Sequence, residues 1–199
     1  FTNPGTSEMH FVAALDKVPG MRCILGLFEG VLTGAADGYY RMAQKPASTL
    51  LHLGPGLANG LANLHNAKKA NSGVVNVVGE HTTYHIKHDA PLTSDIEGVA
   101  RPMSHWVRTS LTSEDVSRDG AAAIEAATRA PGQIATLILP ADTAWGPASK
   151  VVTATPPLPP STVTNSAVTG AAKLLTNGKT ATLLLAGAAL TEKGLQIAG

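Results

Sequence analysis

A chain of 199 residues has room for one well-filled core, or for one domain and part of another. Apolar residues make up 44% of it, charged residues 15% and aromatics 4%, so the interior must be built from Ala, Leu, Val, Ile and Gly, a composition that suits closely packed α/β layers. Fifteen basic side chains against 14 acidic ones leave a formal charge of +1, no electrostatic footprint for a polyanion, and nucleic acid is set aside as a partner.

Cys23, the one cysteine, has no partner for an intramolecular disulfide. It lies in the apolar run MRCILGL, which predicts a small core residue and suits a reducing, cytoplasmic compartment. No apolar stretch is long enough to span a bilayer and no charged-then-apolar leader opens the sequence, so no membrane partner is expected. The opening FTNPG reads as the last residue of a strand running into a turn, and further residues are expected upstream of it.

In chain order, SEMHFVAALDKV over 7–18 has helical spacing of Met9, Val12 and Ala13, with Ser7 as N-cap and Pro19-Gly20 as its stop. Residues 22–27 form a short apolar strand, and Gly30–Met42 a second helix that ends before Lys45-Pro46. STLLHL is too short for a helix and reads as a buried strand; it meets Gly54-Pro55-Gly56, a third helix over LANGLANLHNAKKA, and the β-branched strand GVVNVVG. Residues 80–112 have no sustained period and predict a long loop, a short helix near 93–100 and a strand near 105–110. An alanine-rich helix over 113–130, capped at Ser113, then leads through Pro131-Gly132 into the buried strand QIATLILP.

Alternation of strands and helices with short connections predicts an open, mostly parallel sheet with helices on both faces, a three-layer α/β domain over 1–146. PASKVVTATPPLPPST holds five of the 13 prolines and marks an extended linker over 147–165. Helix 166–176, strand ATLLLAG and a helix from 190 onward read as the start of a second α/β domain.

Three polar residues follow three predicted strands: Thr6 in NPGT, Glu29 in FEG and His52 in LHLGPG. Ligands of open parallel sheets gather at the carboxyl ends of strands, so these three predict a site along one rim. Each also has a structural reading: a turn hydroxyl for Thr6, a core imidazole for His52, and for Glu29 a helix-N-terminal acid favoured by the dipole. A carboxylate at an apolar strand end is nevertheless costly unless something specific bonds to it.

The motifs NPGTSE, LFEGVLTGAADGYYR and LHLGPGLANGLANLHNA, in that order and spacing, resemble the pyrimidine-binding domain of thiamine diphosphate-dependent 2-oxo acid enzymes. APGQIATLILPADTAW resembles that domain's closing strand, and the remainder is similar to the start of the family's middle domain. Within the family the resemblance is to benzoylformate decarboxylases first and acetolactate synthases next. It implies that Glu29 hydrogen-bonds N1′ of the cofactor's aminopyrimidine and drives its 4′-imino tautomer, so the carboxyl must be able to share a proton with that ring. It implies that His52 handles protons on the substrate-derived group and that Thr6 stands at a substrate-binding serine position, where its extra methyl narrows the pocket against an aryl group. Pro4, Gly5, Gly54, Gly56 and Asn59 would line the cofactor pocket.

Gly54-Pro55-Gly56 after His52 is the acetolactate synthase form, whereas Leu92 stands where acetolactate synthases carry a catalytic glutamine, which favours decarboxylation and leaves another carboligation as the alternative. The family binds its diphosphate through Mg²⁺ on a GDG…N motif in a third domain, and no such stretch occurs here. The resemblance therefore implies a second copy of the chain, in a homodimer or homotetramer, and a chain that is part of a longer one or a separate subunit. A non-catalytic homologue is the further alternative.

Rival signals are weaker. His81, His85, His88 and His105 crowd one region, and HTTYH has the i, i+4 spacing of a zinc pair, but it lacks the glutamate of a metalloprotease and falls in a predicted loop, so no metal ligands are assigned. The glycines at 54–60 do not form G-x-G-x-x-G, which argues against a nicotinamide-binding domain.

Overall fold

The runs VVNVVGE and IATLILP are buried along their whole length, as parallel strands covered on both sides must be, and with ASTLL, whose last three residues are buried, they form the centre of the sheet. In the computed structural model, which describes residues 1–159 and 161–199, five strands pair in parallel. They are β1 (Thr2–Asn3), β2 (Ala47–Leu51), β3 (Val74–Glu80), β4 (Trp106–Thr109) and β5 (Ile134–Pro140), in the order β1-β2-β3-β5-β4.

The alternation of β3 shows how the layers form. Val74 and Val78 face a cluster with Leu32 and Ala36 of α2 (Glu29–Ala43), Leu53, Leu57 and Leu64 of α3 (Leu53–Lys69), and Ile96 of α4 (Ile96–Ala100). Val75 and Val77 face the opposite way, onto alanines of α5 (Val116–Thr128) and onto Phe11 and Val12 of α1 (Met9–Leu15). The domain is thus a three-layer α/β sandwich around a parallel sheet.

A polar ladder crosses the buried centre of that sheet. Thr49 Oγ1 donates to Asn76 Oδ1 at 2.7 Å, Asn76 Nδ2 donates to Thr136 Oγ1 at 3.1 Å, and Ser104 Oγ lies 2.7 Å from the same Thr136 hydroxyl. Thr49, Asn76 and Thr136 are register partners on β2, β3 and β5. A slip of one residue would unpair every member and turn each strand's side chains over, so the ladder helps fix how far each strand end reaches.

Several expectations are corrected. Residues 22–27 make only one parallel bridge, Leu25 beside Thr2, held by Thr2 N to Ile24 O at 2.9 Å and Gly26 N to Thr2 O at 3.1 Å. Lying outside the edge strand, this segment leaves Cys23 exposed rather than in the core. Ser7 does not cap a helix: it sits inside a 3-10 turn, Thr6–Glu8, that precedes α1. Ser113 does not cap α5, which starts at Val116 after Asp115; its hydroxyl donates to Pro147 O at 2.8 Å.

The backbone divides into two compact units, Phe1–Pro157 and Leu158–Gly199. In the first, the proline-rich stretch is extended but tied to its neighbours: Val152 N donates to Ser117 Oγ and Thr155 N to Glu125 Oε1, both at 2.7 Å, because an extended chain leaves its amides free to bond sideways. Pro160, which the expected linker includes, lies outside the described residues. In the second unit, α6 (Asn165–Leu175) and α7 (Glu192–Ala198) are capped by the hydroxyls of Thr164 and Thr191. ATLLLAG, expected as a strand, is irregular, since no strand lies beside it among the described residues to take up its backbone groups.

Replacing Asn76 by valine removes both ladder bonds, leaving the buried Thr49 hydroxyl without its acceptor. The expected cost is about 1–3 kcal/mol. Urea titration of wild type and Asn76→Val checks it, as a lower midpoint at unchanged slope.

Candidate active site

Glu29 is the first residue of α2, entered from an extended Phe28 with φ −158° and ψ 132°. The partial positive charge of the helix start favours a carboxylate there, and burial to 8% exposure opposes it. Two side-chain amides resolve the conflict. Asn3 Nδ2, at the end of β1, donates to Oε1, and Asn59 Nδ2, from the second turn of α3, donates to Oε2, each at 3.0 Å.

His52 follows β2 directly and is the N-cap of α3, with no loop between strand and helix. So abrupt a turn puts the fully buried Leu53 in the left-handed region at φ 49°. For a branched aliphatic residue that costs roughly 1–2 kcal/mol, and strain of this kind persists where the surroundings hold a functional side chain in place. Gly56, one turn on, separates the two candidates: a Cβ placed there would stand 3.3 Å from Glu29 Oε1 and 3.4 Å from His52 Cβ.

A second acid joins them that the sequence reading overlooked. Glu8, 2% exposed, accepts from Gly5 N at 2.6 Å and meets His52 Nδ1 at 2.8 Å, both through Oε2. Its signal was present in the sequence as a glutamate three residues after Gly5, the spacing of a capping box.

The remaining candidates divide. Gly5 touches the imidazole and Gly56 and Asn59 touch Glu29, so these share one place with Glu29 and His52. Gly54 faces elsewhere, since a Cβ on it would strike the Ser94 hydroxyl. Thr6 is exposed on the 3-10 turn and its hydroxyl makes none of the described hydrogen bonds, while Pro4 joins β1 to that turn. Leu92 is exposed in the turn before α4.

Farther along the rim, Glu80 ends β3, 6% exposed, with Oε1 accepting from His81 N at 2.7 Å. Burial pushes its carboxyl above the ordinary range, and that hydrogen bond and the charge of His81 only partly oppose it. The loop that follows is clamped by Asp142, which accepts from Thr83 N at 2.9 Å and from its hydroxyl at 2.6 Å. The rings of His81, His85 and His88 follow one another in edge-on and tilted contacts, with centroids 5.7 and 5.5 Å apart.

The sequence profile described as thiamine pyrophosphate enzyme, N-terminal TPP binding domain, matches residues 1–99, the span that holds Glu8, Glu29, His52 and Asn59. The chain belongs to this family of thiamine diphosphate-dependent enzymes. Among curated relatives, IlvX of Mycobacterium tuberculosis, provisionally assigned as an acetolactate synthase large subunit, is 54% identical over 198 residues, 100% of this chain and 38% of its own length. The benzoylformate decarboxylase of Pseudomonas aeruginosa is 33% identical over 143 residues, 71% of this chain and 27% of the relative. The chain thus spans well under half the length of both.

Among solved structures, a thiamine diphosphate-dependent 4-hydroxybenzoylformate decarboxylase from Rhodococcus jostii RHA1 superposes with a TM-score of 0.75 at 24% identity, over 88% of this chain and 34% of that one. At that identity the likeness is one of fold. The family assignment rests on the sequence matches.

Because burial raises the Glu80 carboxyl in the folded state, folding favours its protonated form, and stability drops as pH rises from the ordinary carboxylate range through the folded-state value. Glu80→Gln keeps an acceptor for His81 N and removes the charge. Thermal melts should therefore show the variant melting above wild type at pH 7, with the gap closing below about pH 4, where both states of wild type are protonated.

Proposed function

We propose that the chain supplies the pyrimidine-binding half of a thiamine diphosphate site acting on a 2-oxo acid, with Glu29 as the cofactor-activating carboxylate and decarboxylation as the reaction. The observation that carries this reading is the buried Glu29 carboxylate at the start of α2, with an amide donor on each oxygen and bare backbone at Gly56 beside it. An aminopyrimidine ring needs such a place: a carboxylate that can share a proton, next to a surface with no side chain in the way.

When bound, thiamine diphosphate supplies the carbon nucleophile and electron sink that 2-oxo acid chemistry requires. Glu29 would hold and return a proton at the nitrogen of that cofactor's pyrimidine ring. Asn59 and Asn3 keep its carboxylate oriented between those transfers, and Gly5 and Gly56 let backbone lie close to the cofactor. Pro4 and Thr6 complete the rim in this reading, with Thr6 toward the substrate, whereas Gly54 packs against Ser94 instead. His52 moves protons to and from the substrate-derived group, and its place beside Gly56 supports that role.

In this reading residues 1–146 are the pyrimidine-binding domain, 147–165 a linker and 166–199 the start of the middle domain. The diphosphate and its Mg²⁺ are held by a domain beyond these residues, on a second copy of the chain in a homodimer or homotetramer in the cytoplasm. The exposed apolar residues Leu27, Phe28 and Val31 flank Glu29 and suit such a partner. Acetolactate synthase-like carboligation is the second reading, favoured by the Gly54-Pro55-Gly56 sequence and by the 54% identity to the M. tuberculosis relative. A non-catalytic homologue is disfavoured, because a scaffold gains nothing from a desolvated acid.

Full-length protein supplied with thiamine diphosphate and Mg²⁺ should release CO₂ from members of a 2-oxo acid panel. Glu29→Gln should cut that release by at least about 10²-fold with the fold intact by circular dichroism; full activity in this variant would remove the mechanism. His52→Ala should lower turnover far more than cofactor affinity, and the opposite split would make His52 a packing residue.

A further inference from the structure

We infer that Glu8 is a positioning residue that fixes His52 as its Nδ1-protonated tautomer and so leaves Nε2 as the nitrogen that exchanges protons. This rests on the proton-handling role proposed for His52. Glu8 Oε2 accepts the Gly5 amide at 2.6 Å, and a carboxylate oxygen has no proton to give, so the imidazole nitrogen 2.8 Å from it is the donor. In a neutral imidazole the proton on one nitrogen leaves the other bare, and the group bonded to the first sets which is free. His52 keeps 25% of its side-chain surface exposed, and Nε2 has no protein partner among the described residues.

The seat of this pair is built from bare backbone. A Cβ on Gly5 would fall 2.3 Å from the His52 ring, and one on Gly79 of β3 would fall 1.5 Å from Glu8 Oε1. Strand β3 thus backs the carboxylate and the β1 turn backs the ring. Glu8 Oε1 is buried and has no partner. Buried polar atoms are ordinarily bonded, and Glu29 has a donor on each oxygen, so the one-sided bonding of Glu8 sets it apart. Glu8 instead directs its bonded oxygen at the turn amide and the imidazole. Glu29 and Glu8 are thereby given different tasks by their donors: amides hold Glu29 open to a ring nitrogen, and Glu8 is committed to His52.

The test uses full-length protein labelled with [¹⁵N]histidine, whose ring nitrogen shifts report the tautomer with or without cofactor. Wild type should show His52 protonated at Nδ1 and bare at Nε2. Glu8→Gln, which retains an acceptor oxygen, should keep that tautomer; Glu8→Leu should lose it. Turnover in Glu8→Leu should fall about 10²-fold, as far as in His52→Ala, and the double variant should be no slower than His52→Ala alone, since one residue acts through the other. An unchanged His52 spectrum in Glu8→Leu, an Nε2-protonated ring in Glu8→Gln, or losses that multiply in the double variant would each overturn the inference. A shifted tautomer in Glu8→Leu together with full activity in His52→Ala would uphold the positioning and discard the catalytic reading of His52.

Discussion

A carboxylate out of water at the end of a sheet is the constraint around which this domain is arranged. Burying Glu29 without partners would cost several kcal/mol, and the chain offsets that cost with donors drawn from two separate elements. Asn3 comes from the end of β1 and Asn59 from α3, 26 and 30 residues away in sequence from Glu29. Both reach it only if β1, α2 and α3 are packed in one way. The acid is therefore a sensor of correct folding as well as the centre of the candidate site.

The parallel sheet makes that convergence possible. All strands point one way, so the segments that follow β1, β2 and β3 emerge on a common rim. Glu8, His52 and Glu80 follow or end three adjacent strands there. The Thr49–Asn76–Thr136 ladder holds the register that sets their heights, and the strained backbone at Leu53 turns the chain from strand to helix without a loop. Glycines at 5, 56 and 79 then allow backbone into contact with imidazole and carboxylates where any side chain would collide or crowd.

Three acids along this rim differ by their surroundings rather than by their chemistry. Glu29 has an amide on each oxygen, Glu8 a backbone amide and an imidazole on one, and Glu80 a single backbone amide against a burial that raises its carboxyl. Environment assigns one functional group to distinct tasks, which is how a fold accommodates acid and base roles side by side.

Much of this was legible in the chain itself. Apolar runs too short for helices marked β2, β3 and β5, alanine-rich periodic stretches marked α2, α3 and α5, and their alternation implied the parallel sheet. The order of NPGTSE, LFEG and LHLGPG placed His52 at a strand end and Glu29 at a helix start and carried the family resemblance, because those motifs are local in sequence. What the chain could not disclose was pairing across distance. Residues 22–27 look like a strand, but only the position of β1 decides that one bridge forms there and that Cys23 faces outward. ATLLLAG has strand composition and no strand to pair with among the described residues. Glu8 reads as a helix-start acid until the fold brings His52, 44 residues later, against its carboxylate. Local propensity and motif spacing are properties of neighbours along the chain; the donors that hold a buried charge are chosen by packing, and only the tertiary structure decides which ones arrive.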